Sequence, residues 1–158
     1  MSIIGIIPAR MGSSRFPGKP LAKIRGIPMI GHVYYRAKMC KRLSEIYVAT
    51  CDKEIADYIN SISGEVIMTK DTHERATDRT NEAFIKVLNQ KKLDISGVLM
   101  IQGDEPLINP QLIDGMVSFH EKSDSPHITN LVSEINSKEE FENSNVVKVV
   151  FNKNNKIL

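Results

Sequence analysis

Tryptophan is absent from the 158-residue chain, cysteine occurs twice, and neither sign of charge dominates. Cys40 and Cys51 show no metal-ligand spacing and no Cys-x-x-Cys pattern, which excludes a structural zinc knot and a disulfide framework. Two isolated thiols suit a reducing cytoplasm. The formal net charge is only +2, and no basic stripe is present, so nucleic acid is excluded as the main partner. The cluster Arg36, Lys38, Lys41 and Arg42 reads as a solvated helix face. No run approaches the roughly 20 apolar residues of a membrane span. The apolar start from Ile3 to Ile7 is broken by Pro8 and Arg10, too early for a signal peptide.

What is present fits one ordinary soluble domain, with 41% hydrophobic and 25% charged residues. Ile3 to Pro8 reads as a strand buried on both faces, and residues 45–50, 65–69 and 97–102 as further strands, the last of them central. Helices are expected over 29–43, from Asp52 as cap to Ile62, over 78–90 with Ala83, Phe84, Val87 and Leu88 inward, and over 110–121. Gly64 is expected to stop the second of these. Further strands are expected at 127–134 and 146–151, with a short helix at 138–141. The alternation predicts an α/β fold, a mostly parallel twisted sheet with helices on both faces.

Chemistry concentrates where strands end. Arg10-Met11-Gly12-Ser13-Ser14-Arg15-Phe16-Pro17-Gly18-Lys19-Pro20 follows the first strand. In an open α/β sheet ligands bind beyond the carboxyl ends of the strands. Three cations, hydroxyls and backbone N–H groups there can neutralise a triphosphate, and Gly12 and Gly18 would allow close approach or positive φ. The spacing rules out a P-loop, which needs four residues between its glycines and Ser or Thr after the lysine. A solvated basic loop is the bland alternative.

Gln102-Gly103-Asp104-Glu105-Pro106 closes the fourth strand. A carboxylate at that place can hold Mg²⁺, a hard cation that takes one or two carboxylates plus phosphate oxygens. An ordinary Gly-Asp turn is the competing reading. The third segment, Thr69 to Arg79, offers Arg79 for a carboxylate or phosphate. Thr77 or Asp78 reads as a helix cap. His73 reads as a loop hydrogen bonder.

In these three segments the chain resembles the 3-deoxy-manno-octulosonate cytidylyltransferases, or CMP-Kdo synthetases. The resemblance runs through Ile7-Pro8-Ala9-Arg10, Ser13, Arg15, residues 17–21 and 26–30, Val48-Ala49-Thr50, Met68-Thr69, His73, Thr77-Asp78-Arg79, residues 102–106 and residues 145–150. It implies a Rossmann-like nucleotidyltransferase fold, with residues 1–158 forming a CTP-binding domain. The implied reaction moves CMP from CTP to Kdo or a close relative, releasing pyrophosphate, for lipopolysaccharide or capsule synthesis. Carried over by position, Ala9, Arg10, Gly12, Ser13, Arg15 and Lys19 bind the nucleotide, Lys19 and Asp104 are catalytic, and Asp104 holds Mg²⁺. Gln102 and Arg79 face the sugar acid. The resemblance further implies a cytoplasmic homodimer with no membrane partner.

Two departures bear on the acceptor: Cys51 stands where the family commonly has Asp, and Arg75-Ala76 replaces a common Ser-Gly pair. They leave Kdo, a related ulosonic acid and another sugar acid open. Residues 151–158 read as a strand, an Asn/Lys turn and the start of a returning strand. Such an ending is expected either of a truncated chain or of a natively short one. Members of the resembled family run on for roughly another hundred residues, which implies a truncated N-terminal portion, and a CTP-binding fragment without turnover is an alternative to a complete enzyme.

Overall fold

The structure is a computed structural model that describes residues 2–12, 16–91, 94–122, 128–154 and 156–157. The chain divides into two units, residues 1–122 and residues 123–158.

In the first unit, the strands β1 (Ser2–Ala9), β4 (Leu43–Thr50), β5 (Glu65–Met68) and β6 (Ile95–Met100) form a sheet in the order β5-β4-β1-β6. Every pairing within it is parallel. Along the chain after β1 comes a small separate antiparallel hairpin, β2 (Lys23–Ile24) with β3 (Ile27–Pro28), turned by Arg25 and Gly26 at φ 50° and 87°. Alternation along β1 explains the layering. Ile3 and Ile7 join the core against α1 (Met29–Lys38), α2 (Lys53–Ser61) and α4 (Pro110–Glu121), through Ile30, Val33, Ile55, Ile59 and Ile113. Ile4 and Ile6 point the other way, onto Ala83 and Val87 of α3 (Ala76–Gln90). Helices therefore cover both faces, as the sequence pattern predicts.

Several expectations need correction. Among the described residues the run 97–102 is not central: β6 ends the sheet order, with Val98 39% exposed, and β1 and β4 take the middle. The first helix stops at Lys38, since Leu43 already belongs to β4. Leu88 faces outward, 41% exposed. Gly64 shares the stop of α2 with Ser63, which takes the left-handed conformation at φ 58°. Gly64 N–H and Ser63 N–H donate to Ile59 O at 2.8 Å and Asn60 O at 3.0 Å, the paired bonds of a Schellman motif. A Cβ on Gly64 would meet Ile59 Cγ2 at 2.5 Å, so glycine is needed there for room.

In the second unit, α5 (Lys138–Glu142) matches the expected short helix, capped by Ser137, whose hydroxyl accepts from Glu140 N–H. Residues 128–134 and 146–150 are not strands; His127 lies outside the described residues. The expected returning turn is present as one antiparallel bridge, Phe151 to Ile157, with Asn152 N–H donating to Lys156 O at 2.9 Å.

Candidate functional site

Because the sheet strands run the same way, their carboxyl ends share one rim. β1 delivers Arg10 there, β4 delivers Cys51 and Asp52, β5 leads into Thr69, and β6 into Gln102 and Asp104. A cleft of about 650 Å³ opens on this rim, lined by Ala9, Arg10, Gly12, Lys19, Gln102 and Asp104 among others. Lys19 Nζ lies 2.7 Å from Asp104 Oδ2, joining segments 85 positions apart. The basic loop and the acidic turn therefore converge on one site.

Each side chain has an identifiable support. Gly18 takes φ 72° and opens a short 3-10 turn, Lys19–Leu21, which carries the ammonium to the cleft. Gly18 N–H also donates to Met11 O at 3.0 Å. Gly12 does not need its freedom: its φ is not in the left-handed region and a Cβ would meet open space. Met11 N–H donates to Asp52 Oδ2 at 2.7 Å. Asp52 occupies the N-cap position of α2, as expected, but its side chain makes no capping bond.

On the acidic side, Gly103 presses on β1 so closely that a Cβ would stand 2.7 Å from Pro8 O. Arg36 Nε donates to Pro106 O at 3.2 Å and so ties the turn to α1. The basic cluster is thus more than a solvated face. Arg42 pairs with Glu121 at 2.9 Å, and the Lys41 and Arg42 amides donate to Asp114. Cys40, beneath them, is buried, and that burial with the charge of Asp114 pushes its thiol up to about 11.

The third segment is held by one face of α3. Arg79 is 2% exposed and does not line the cleft; its Nη1 donates to Thr69 Oγ1 and, at 3.2 Å, to Lys70 O. Its Nη2 has no partner among the described residues. Three positions on, the Glu82 carboxylate accepts from Lys70 N–H at 3.0 Å, from His73 Nε2 and from Lys86 Nζ at 2.7 Å. Arg10 Nη1 reaches His73 O at a long 3.4 Å. Neither Thr77 nor Asp78 caps α3; Arg75, exposed, stands at the N-cap without a side-chain capping bond.

Burial alone would raise the Glu82 carboxyl, but the bonds from Lys86, Lys70 and His73 and the Lys86 charge outweigh it. They hold the group down at about 2, against an ordinary 4.5. A depressed carboxyl stabilises the fold fully above its unfolded value and loses that contribution as pH falls through the folded one. Wild-type chain and Glu82→Gln, compared by denaturant unfolding, should therefore differ most above pH 4.5 and converge as pH falls towards 2. A gap unchanged across that window would contradict the assignment.

Of the residues expected at the site, Ala9, Arg10, Gly12, Lys19, Gln102 and Asp104 meet at the cleft, and Ser13 and Arg15 lie outside the described residues. Sequence reasoning missed Arg36 and Glu82 and read Asp52 only as a cap. Glu82 had a signal, since it shares a helix face with Arg79 and Lys86 at spacings of three and four. Among the described residues no three His, Cys, Asp or Glu side chains cluster as a complete metal cage. Among the described residues Asp104 is the one carboxylate that lines the cleft beside the cations, and a single carboxylate there fits a Mg²⁺ shared with phosphate oxygens better than an all-protein metal centre.

Comparison with known proteins places this geometry. A family model described as cytidylyltransferase matches residues 4–158. The 3-deoxy-manno-octulosonate cytidylyltransferase of Thermodesulfovibrio yellowstonii is 44% identical over 156 residues, 98% of this chain and 61% of that protein. The 8-amino-3,8-dideoxy-manno-octulosonate cytidylyltransferase of Shewanella sp. strain W3-18-1 is 45% identical over 155 residues, 98% of this chain and 62% of that one. This chain thus spans about three-fifths of the length of these curated relatives. Among solved structures, a CMP:2-keto-3-deoxy-manno-octonic acid synthetase complexed with CTP aligns with a TM-score of 0.68 and 39% identity, over 77% of this chain and 48% of that one. A 4-diphosphocytidyl-2C-methyl-D-erythritol synthase, at 12% identity and TM-score 0.62 over 77% of this chain and 55% of that one, shares the fold alone.

Proposed function

We propose, from the premise that the chain belongs to the cytidylyltransferase family, that its whole protein transfers CMP from CTP to Kdo or its 8-amino relative and releases pyrophosphate. The observation that carries this reading is the 2.7 Å contact of Lys19 with Asp104 at the mouth of a ligand-sized cleft. An ammonium, a guanidinium and a lone carboxylate there match a nucleoside triphosphate and its counter-cation.

In this reading the Arg10 and Lys19 cations bind the phosphates of CTP, with Ser13 and Arg15 assigned by position. Asp104 would hold Mg²⁺, which when bound supplies positive charge to the phosphate oxygens. The anomeric hydroxyl of the sugar attacks the α-phosphorus, and the bond to pyrophosphate breaks. Such a transfer is driven by positioning and neutralisation, so no protein nucleophile is required. Gln102 faces the acceptor from the cleft. Arg79 is assigned to the sugar acid by position alone, since it is 2% exposed and does not line the cleft. The acceptor's substituent at carbon 8 is the open choice, because the two relatives differ in name at that atom.

The product would feed lipopolysaccharide or capsule assembly. A cytoplasmic site belongs to the same proposal and is supported by the two free cysteines. Among the described residues no helix is long and apolar enough to cross a membrane. Homodimer assembly of the whole protein completes the proposal.

The direct test is pyrophosphate release by the whole protein from CTP, with Kdo and 8-amino-Kdo offered in parallel and Mg²⁺ present. Release with either sugar is expected, and none with both would reject the reading. The 158-residue chain has its own readout. CTP with Mg²⁺ at a hundredfold excess over Kd should stabilise it by about 2.7 kcal/mol. A thermal scan with GTP and UTP alongside checks this; equal shifts with all three would remove the preference for cytidine.

A further inference from the structure

Asp52 follows the carboxyl end of β4 and stands where α2 needs a cap. An Asp there normally turns its carboxylate back onto the helix's own first amides. This one turns away: Oδ2 accepts Met11 N–H at 2.7 Å, across 41 positions of sequence, while the Asp52 amide is held by the hydroxyl of fully buried Thr50 at 3.1 Å. The other backbone group of Met11 is also fixed, its carbonyl accepting Gly18 N–H at 3.0 Å. Met11 is thus anchored on both sides, with Arg10 before it and Lys19 next after Gly18. We propose that Asp52 is a positioning residue for nucleotide binding, pinning Met11 so that Arg10 and Lys19 hold their places around the triphosphate.

The chemistry favours this over a purely structural role. The Asp52 carboxylate spends its bond on Met11 N–H of the loop and not on its own helix. The helix meanwhile forgoes a side-chain cap. A local stabilisation is given up for a contact with the loop.

This inference rests on the CTP reading, so the test separates the two. CTP affinity, with Mg²⁺ present, is measured by calorimetry for the full 158-residue chain and for Asp52→Ser, Asp52→Asn, Lys19→Ala and the Lys19→Ala/Asp52→Ser pair. Serine can cap α2 but is too short to reach Met11. Asp52→Ser should therefore weaken CTP about tenfold or more, the scale of a lost charge-assisted hydrogen bond. Its unfolding midpoint should stay at or above the wild-type value, a combination that a merely structural Asp52 would not give. Asp52→Asn keeps a neutral acceptor and should lose only about threefold. In the Lys19→Ala background the serine change should cost less than in the wild type, because both act through one loop.

Wild-type affinity in Asp52→Ser, or an equal loss in both backgrounds, overturns the inference. Should the serine variant fail to fold, Asp52→Asn decides, and wild-type affinity there overturns it. A wild-type chain that binds no CTP sinks the nucleotide reading itself.

Discussion

Lys19→Ala and Asp104→Asn should each lower turnover of the whole enzyme by about a hundredfold or more while leaving the fold intact. The size follows from their place: removing one preorganised charge from a site where charge develops costs about 10²–10³ in rate. The intact fold follows from exposure. The two side chains are 34% and 50% exposed, and an ion pair so open to water contributes about 0–1 kcal/mol to stability. Pyrophosphate release and the unfolding midpoint, measured on the same preparations, check both halves. Wild-type rates in both variants would mean that the cleft is not where the chemistry occurs.

Gly103→Ala should be damaging for another reason. The added Cβ would stand 2.7 Å from the Pro8 carbonyl oxygen; the backbone fixes the place of the Cβ and the oxygen is itself backbone, so no flexible side-chain end can yield. Either the acidic turn lifts off β1 or β1 bends, at a cost of about 1–3 kcal/mol. Asp104 is the next residue, so the displacement passes directly to the contact with Lys19. Denaturant unfolding should show the stability loss, and CTP affinity should fall with it. An alanine variant equal to wild type in both would show that the turn has slack which the 2.7 Å approach denies.

Much of this fold is legible because its signals are local. Ile3 to Pro8 and Ile46 to Thr50 are near-continuous apolar runs, β-branched in part, as strands buried on both sides require. The helices show their buried positions at spacings of three and four, as with Ile55 and Ile59. The sheet order was not legible. A strand's place depends on what packs beside it, and the run 97–102 is apolar enough for a centre that β1 occupies. Unit two misled for a related reason: Val146 to Phe151 has strand-like residue types, but among the described residues only Phe151 finds a bridging partner.

The candidate site divides the same way. Lys19, Asp104 and Arg10 stand out because charged residues in Gly/Pro turns after apolar strands sit on the rim where an α/β sheet takes its ligands. Two of their supports do not stand out, since Asp52 and Arg36 act on backbone groups 41 and 70 positions away in sequence. Nothing in a pattern of residue types announces a bond of that kind. Arg79 shows the limit from the other side: its residue type pointed outward to a ligand, while its Nη1 is spent on Thr69 and Lys70.

The touching charges of residues 19 and 104 have a consequence for what the cleft admits first. On the proposed function, a divalent ion near the acid would meet the repulsion of the amine already beside it, and a bare polyphosphate near the amine would meet the acid. A polyphosphate that arrives already carrying its cation would let both trade partners at once. Because the pair is open to water and contributes only about 0–1 kcal/mol, the two halves offered separately should each bind up to about fivefold more weakly than together.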